Sequence, residues 1–441
     1  MKVIFLNRYF HPDHSATSQM LSALAFALAE RDYRIAIVTS RQLYGRPDGD
    51  LPPRETIGGV DIYRVWTTRF GRYNLLGRAI DYLTFYLSAG WLLWWLVQRG
   101  DVVVAKTDPP MLSVLTVPIA AARRARPVNW LQDIFPEVAE ASGFRKLPLA
   151  SWIIRTMRNW SLKHARMNIA IGTRMAKRLD GLGVPAERVR VIANWAGGKL
   201  VYPVEPALNP LRKAWELDGK FVVGYSGNLG RAHEYGTLLE GIARLEVSAG
   251  TAADAGGGTG APEIVWLFIG SGALYKKFEA EVRAKGLKSV MFRPYQPGER
   301  LAESLSAADV HLVSLRPEME GLIVPSKFYG VAAAGRPAIF IGDEDGEIAR
   351  ILAAEGCGWT VKPGDGAGLA ERIRRLADAP QAVRQAGARA RSAFELKFDF
   401  PNALAAWEQL LGELGARQDA KAPAALGNGY APAEPSRARN A

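Results

Sequence analysis

The chain is poor in the residues that most often announce chemistry. One cysteine, Cys357, stands among 441 residues, so no intrachain disulfide can form. The glycines on either side of it mark a small buried residue rather than a nucleophile. Only five histidines occur, and they lack metal-ligand spacing, so no metal is expected. The chain opens on MKVIFLNRYF, an apolar run of strand length, not on a charged segment followed by a long apolar one. A cytoplasmic protein is the expectation. No G-x-G-x-x-G follows that first strand, where the loop reads RYFHPDHSATS, which counts against a dinucleotide-binding dehydrogenase. There is also no basic stripe and no nucleic-acid reader motif. The formal net charge of +12 therefore points to phosphorylated substrates or acidic lipid headgroups and away from nucleic acid.

What is present is an alternation of short apolar strands and longer amphipathic helices. Strands are expected at 2–7, 33–39, 60–66, 101–106, 128–132, 167–171 and 189–192, with helices at 18–30 and 112–123 among them. After a proline-containing stretch at 202–211 the alternation restarts, with strands at 221–225, 265–269, 290–293, 310–314, 338–341 and 359–361. With 48% apolar residues each half can bury a core. The fold class is α/β: two parallel-sheet domains in series, covered on both faces and facing a central cleft. The boundaries read 1–200 for the first domain, 201–214 for a linker and 215–396 for the second. A C-terminal helix at 397–415 returns to the first lobe, and a tail at 416–441 is expected to be disordered. Ser248–Pro262, rich in Gly, Ala and Thr, reads as a flexible insertion. Ligands of such sheets bind outside the carboxyl ends of the strands, here in the cleft.

Residues 75–97 contain YLTFYLSAGWLLWWLV, uncharged from Tyr82 to Gln98, with Arg72, Arg78 and Arg99 nearby. The run falls short of the ~18–20 apolar residues a membrane span needs. Two readings stay open: a helix packed on the first sheet, or a Trp/Tyr-rich helix docked at a membrane interface.

The most informative segment is EGLIVPSKFYGVAAAGRPAIF, Glu320 to Phe340. A Pro-Ser-Lys turn leads straight into a small-residue helix, whose N-terminus gathers unpaired amides and welcomes anions. Lys327 adds a full charge there, and Glu320 upstream can accept hydrogen bonds from hydroxyls. Acid, anion cradle and hydroxyl partner together suit a sugar nucleotide. Two glycine loops support this. Gly227-Asn228-Leu229-Gly230-Arg231 follows the strand FVVGYS, letting backbone approach a diphosphate that Arg231 can pair. Gly270-Ser271-Gly272 after WLFI is a second close-approach loop.

In their order along residues 1–410, several segments resemble the GT-B glycosyltransferases of family 4, and among them the WbuB- and WcaI-like enzymes of capsule, O-antigen and colanic-acid assembly. They are YFHPDHSATSQMLSALAFALAERDYRIAIVTS, DVVVAKTDPPML, NWLQDIFPEVAEASG, GYSGNLGRAHEYGTLLEGI, WLFIGSG and EGLIVPSKFYGVAAAGRP. The resemblance implies sugar transfer from a nucleotide donor, most often a UDP-sugar, with retention at the anomeric carbon. It implies two Rossmann-like lobes, with the donor mainly on the second and the acceptor on the first. It further implies a polyprenyl-diphosphate-linked or saccharide acceptor, and so a peripheral position on the inner membrane surface.

On this reading Lys327 neutralises the departing diphosphate, assisted by Ser326 and by the amides of Gly321 and Leu322. Glu320 matches the first acid of the family's paired-acid pattern, near the donor sugar, with Glu318 a competitor. The second acid, which normally holds the ribose, is replaced by Gly330. Tyr295 and Gln296 fall where the family contacts the nucleobase. Asn228 stands where an arginine is common, leaving the charge to Arg231. In the first lobe His14, Ser15, Ala16 and Thr17 lead into the first helix, where donor diphosphate or acceptor can approach, or where Ser15, Thr17 or Ser18 merely caps the helix. Asp133 either orients and deprotonates the acceptor hydroxyl or caps the next turn, and Glu137 is the alternative acid. No close carboxylate pair of the retaining-glycosidase kind is evident. Front-face displacement follows, with no obligatory metal or cofactor because Lys327 and Arg231 provide the charge. Two rival functions share these features: a UDP-GlcNAc 2-epimerase-like enzyme, and a non-catalytic sugar-nucleotide-binding subunit.

Overall fold

The computed structural model describes residues 1–44, 50–71, 75–144, 148–254 and 262–416, with residues 75 and 249–254 as backbone alone. The first lobe contains β1 (Val3–Leu6), α1 (Ala16–Ala29), β2 (Ile35–Ser40), β3 (Arg54–Ile57), β4 (Val60–Val65), α2 (Leu75–Leu96), β5 (Val102–Ala105) and α3 (Leu112–Ala122). It continues with β6 (Arg126–Trp130), α4 (Glu137–Ala141), α5 (Pro148–His164), β7 (Met167–Ala170), α6 (Thr173–Gly181) and β8 (Val189–Val191). The second lobe begins with α7 (Pro210–Ala214), β9 (Phe221–Asn228), α8 (Gly236–Asp254), β10 (Ile264–Ser271), α9 (Tyr275–Ala284), β11 (Val290–Arg293) and α10 (Leu301–Ser306). Then come β12 (Val310–Ser314), α11 (Lys327–Ala333), β13 (Ala338–Ile341), α12 (Glu347–Glu355), β14 (Gly358–Val361), α13 (Gly366–Ala377), α14 (Pro380–Ala393) and α15 (Phe400–Glu413).

Two sheets result, in the orders β3-β4-β2-β1-β5-β6-β7-β8 and β11-β10-β9-β12-β13-β14. The expected α/β class with two Rossmann-like sheets is what the chain adopts. One strand departs from the parallel expectation: β3 pairs with β4 antiparallel, Arg54 opposite Tyr63. Its sequence RETI has no apolar run because it lies at the sheet edge, partly exposed. The first helix starts at Ala16, two residues before the expected Ser18. Helix α8 continues to Asp254, into the stretch expected to be an insertion; residues 255–261 lie outside the described residues. So does the expected disordered tail from residue 417 on. Ala416, assigned to that tail, is buried against the first lobe.

Central strands such as β1, β5 and β7 are buried along their whole length, which is why they read as unbroken apolar runs. Helix α15 crosses back to the first lobe and buries Trp407, Leu410 and Leu411 beside Phe5, Leu21 and Trp130. Trp407 meets the Trp130 ring edge-on at 4.8 Å. A further apolar cluster joins the lobes directly, Ile134, Ile171 and Met175 against Met319, Leu322 and Ile348.

Strand order reverses once in each sheet, between β1 and β5 and between β9 and β12. At each reversal the connecting helices leave on opposite faces, so a crevice opens beyond the strand ends. Both crevices hold a lysine.

Candidate active site

In the second lobe the crevice contains Lys327, the first residue of α11. Its ammonium donates to Tyr225 Oη at 2.5 Å and to the Asn228 carbonyl at 3.2 Å. It also lies 4.1 Å from the centroid of the Tyr225 ring. His233 completes the group. Its Nδ1 donates to the Ser314 carbonyl at 2.7 Å, which leaves Nε2 unprotonated and 3.5 Å from Lys327 Nζ. Burial, reinforced by the Lys327 charge, holds the His233 pKa down at about 3, so the ring stays neutral. Burial alone lowers Lys327 to about 7. Among the described residues, every contact of this cation is with a neutral group. A desolvated ammonium ringed by dipoles, without a counter-anion, is a poor resting state and a good anion receptor.

Four expectations change here. The amides at the start of α11 are not free: those of Phe328 and Tyr329 bond back to the carbonyls of Pro325 and Ser326. The seven-residue α11 thus offers its lysine rather than a bare helix end, while the Ser326 side chain at its N-cap stays exposed and bonds nothing in the helix. Leu322 N–H is spent on the Met319 carbonyl, and Leu322 itself is buried. Arg231 lies 5.4 Å over the Phe144 ring of the first lobe, and no contact joins it to the Lys327 group among the described residues. Glu320 carries a structural bond that the sequence did not show, because its Oε1 accepts the Glu347 amide at 2.8 Å and so caps α12. Burial, opposed by that bond, leaves its pKa raised.

The glycines divide by role. A Cβ on Gly270 would lie 2.2 Å from the Gly227 carbonyl, and one on Gly272 2.3 Å from Asn228 Oδ1, so these two serve the approach of β9 and β10. Those strand ends pair Gly270 with Gly227 and Ser271 with Asn228. A Cβ on Gly227 would meet only Lys327, at 3.6 Å, and one on Gly230 only the Asn228 side chain, at 3.4 Å. Gly227 is needed for its backbone instead, at φ +123° beside the cation. Tyr295 is exposed in the loop that follows β11. Gln296 bonds its own loop, at the Pro294 carbonyl. Gly330 lies on α11 facing Leu305, and no acid takes the ribose position on that helix.

In the first lobe the crevice contains Lys106, directly after β5 and only 1% exposed. Its Nζ donates to the Thr17 carbonyl at 2.9 Å and sits 3.8 Å from the Trp130 centroid. Burial, opposed by Asp108, lowers its pKa to about 7. Asp133 lines a small cavity with Lys106, Thr107, Asn129 and Arg158. Burial, aided by the charge of Asp108 and opposed by a hydrogen bond from Thr107, raises the Asp133 pKa to about 7. Its Oδ1 is buried without a partner. Glu137 is not available as the alternative acid. Arg158 donates to it at 2.7 and 3.1 Å, and this outweighs burial to lower its pKa. Near α1 the capping is by Asp13: its Oδ1 accepts the Ser15 amide at 2.7 Å, while Ser15 caps nothing. His14 and Ala16 are exposed; Thr17 is half-buried and contributes its carbonyl to Lys106.

The lobes meet beside both crevices. Ile134 N–H donates to the Leu322 carbonyl at 3.0 Å. Glu347 of α12 reaches across to accept the Thr173 hydroxyl and the Arg174 amide, each at 2.8 Å, capping α6 of the first lobe. Arg174 returns an ion pair to Asp345 at 2.8 Å. Gly321, at φ +73°, makes room for this junction, since a Cβ there would lie 3.2 Å from the Arg174 carbonyl.

Tyr225, His233, Lys106 and Glu347 were missed by sequence reasoning. Lys106 had a signal, a cation placed immediately after the apolar strand VVVA. His233 had only its place five residues after Asn228. Nothing local marks Glu347, whose partners are about 170 residues away in the chain.

Two Rossmann-like sheets in series, joined by a shared apolar cluster and each with a crevice where its strand order reverses, define the class: a GT-B α/β fold. Comparison with known proteins agrees. Residues 16–195 match the glycosyl transferase 4-like domain, and residues 220–379 match glycosyl transferases group 1. The chain is 29% identical over 285 residues to a Pseudomonas aeruginosa protein named "Probable glycosyltransferase WbjE", a match covering 64% of this chain and 67% of that one. It is 23% identical over 270 residues to WcaI of Escherichia coli strain K12, named for colanic acid biosynthesis, covering 61% of this chain and 58% of the relative. Among solved structures, sucrose-phosphate synthase of Thermosynechococcus elongatus shares the fold with a TM-score of 0.72 at 18% identity, over 94% of this chain and all of that one. Anabaena HepE, solved in complex with UDP-glucose, does so with a TM-score of 0.66 at 17% identity, again over 94% and 100%. The chain belongs to the GT-B glycosyltransferases.

Proposed function

We propose that the protein transfers a sugar from a UDP-sugar to a polyprenyl-diphosphate-linked or saccharide acceptor, with retention, in cell-surface polysaccharide assembly of the WbuB/WcaI kind. The observation that carries this is Lys327, a half-buried cation at the crevice of the second sheet with no counter-anion among the described residues. A donor diphosphate placed there gains the charge partner that the free site lacks. As the bond between anomeric carbon and diphosphate oxygen breaks, negative charge grows on that oxygen and is met by the Lys327 ammonium, with Tyr225 Oη holding the ammonium in place. The acceptor oxygen forms its bond on the same face of the sugar. Its proton passes to the departing phosphate oxygen or to Asp133, whose carboxyl is poised near pH 7. Tyr295, exposed in the loop after β11, is the stacking surface for the base in this scheme. No cofactor beyond the donor is needed in this scheme. The aromatic face of α2 holds the protein against the cytoplasmic side of the membrane, where a lipid-linked acceptor resides.

A calorimetric titration with UDP, GDP, ADP and TDP, followed by transfer assays with the nucleotide sugar of the tightest, tests the reading. UDP is expected to bind best and to lose affinity in Lys327→Ala. Equal binding of wild type and variant would remove the basis of the proposal.

A further inference from the structure

Helices α2, α3 and α5 each connect successive strands in the same direction across the first sheet, so they lie on one face of it, with α3 packed between the other two. Gly90 makes the α2–α3 approach possible, for a Cβ there would stand 2.9 Å from Leu115. Helix α2 buries Phe85, Ala89, Leu93 and Val97 against the sheet. Its outer stripe of Leu83, Leu87, Trp91, Trp94 and Trp95 is exposed, Trp91 by 70%. Helix α5 repeats the pattern. Leu149, Trp152, Ile153, Met157 and Trp160 are exposed at helical spacing, Trp152 by 65%, although its composition had given no such signal. Between them α3 shows only Pro118, Ala121 and Ala122 outward.

The charges of this face have one sign. Helices α3 and α5 contain no acid, and the single acid of α2, Asp81, is buried. Arg99, Arg124, Lys163 and Arg166 are exposed just beyond or within the last turns of the three helices. Exposed tryptophans on an apolar surface, with cations at one end of it and no exposed carboxylate among the described residues of the three helices, complement an anionic lipid interface. No described helix is long and apolar enough to cross a membrane.

Building on the membrane position proposed above, we infer that the lipid-binding surface is this composite three-helix face, with α5 as its second anchor. Helix α5 also ties that surface to the chemistry. Its buried side, with Arg158 and Leu162, lines the Asp133 cavity, while its outer side enters the headgroup region. The acceptor's lipid end and reacting end are thus held by opposite sides of one helix.

The test is flotation of the full chain with vesicles of phosphatidylethanolamine and phosphatidylglycerol, against phosphatidylcholine alone. Three variants are compared: Trp152→Ser with Ile153→Ser on α5, Trp91→Ser with Trp95→Ser on α2, and Lys163→Glu with Arg166→Glu on the rim. Wild type is expected to float with the anionic vesicles only. Each apolar pair should lower partitioning roughly tenfold, and the rim pair should abolish the preference for anionic lipid. UDP binding in the second lobe reports folding of every variant and should not change. Flotation lost in the α2 pair but unaltered in the α5 pair would overturn the role of α5. A concentration-dependent dimer that both apolar pairs dissolve, without vesicle binding by wild type, would show that a second copy covers the face instead. UDP binding without any flotation defeats this inference together with the membrane position it rests on and leaves the donor reading standing, whereas flotation without UDP binding defeats the donor reading alone.

Discussion

Each lobe places a lysine at the crevice where its strand order reverses, and the two could hardly be used more differently. Lys106 and Lys327 both lie against an aromatic ring, both donate to a backbone carbonyl, and both have pKa values lowered to about 7 by burial. Lys106 is sealed, with the charge of Asp108 opposing the loss of water, and it ties Thr17 at the start of α1 to the sheet. Lys327 is half-buried, with only neutral groups around it among the described residues. A buried ion with its counter-charge is part of the architecture; one without is a receptor. The same residue at the same topological point becomes a brace in one lobe and a binding group in the other, and the neighbours decide which.

That contrast can be broken most sharply at Lys327. Lys327→Ala should lower transfer ~10²–10³-fold while leaving the melting temperature intact, measured by initial rates with saturating donor; a rate near wild type would make both lysines structural. Next, Asp133 must be ionised to accept a proton, and its raised pKa sets that at about 7. The rate should rise with pH up to about 7 and level off, and Asp133→Asn should be ~10²-fold slower with that limb flattened. Third, Lys106→Met should leave UDP affinity unchanged but remove about 2 kcal/mol of stability in urea unfolding, because the Thr17 carbonyl loses its buried donor.

A smaller effect concerns linkage. A bound diphosphate raises the Lys327 pKa above its free value of about 7. Its contribution to UDP affinity is then complete below about pH 7. It is lost as pH rises from there through the bound-state pKa, by at most about tenfold per pH unit. Calorimetry in buffers of different ionisation enthalpy should show proton uptake in the wild type and none from this group in Lys327→Met. The smallest effect is expected at the lobe junction: Glu347→Gln keeps the acceptor oxygen but removes its charge from the α6 N-terminus, for a loss of about 1 kcal/mol in thermal unfolding.

The fold was readable because both sheets are built from apolar strands whose burial on two faces suppresses alternation, as in VVVA at β5 and AIFI at β13. The edge strand β3 was not, since RETI is half exposed and carries no such run. Lys327 was legible from its turn-to-helix context. The capping bond of Glu320 was not legible because its partner, the Glu347 amide, is 27 residues away in the chain. Arg231 was read as a phosphate ligand from its neighbours Gly227 to Gly230, yet the ring beneath it, Phe144, belongs to the other lobe.

The sequence by itself determined the strand and helix order, the two-lobed class and the position of one cation where a turn enters a helix, since these follow from local hydrophobic period and turn chemistry. Only the tertiary structure decided which charges are compensated and which are left waiting. Solvation and Coulomb interaction depend on distances between groups remote in the chain, such as Lys106 and Thr17 or Lys327 and His233.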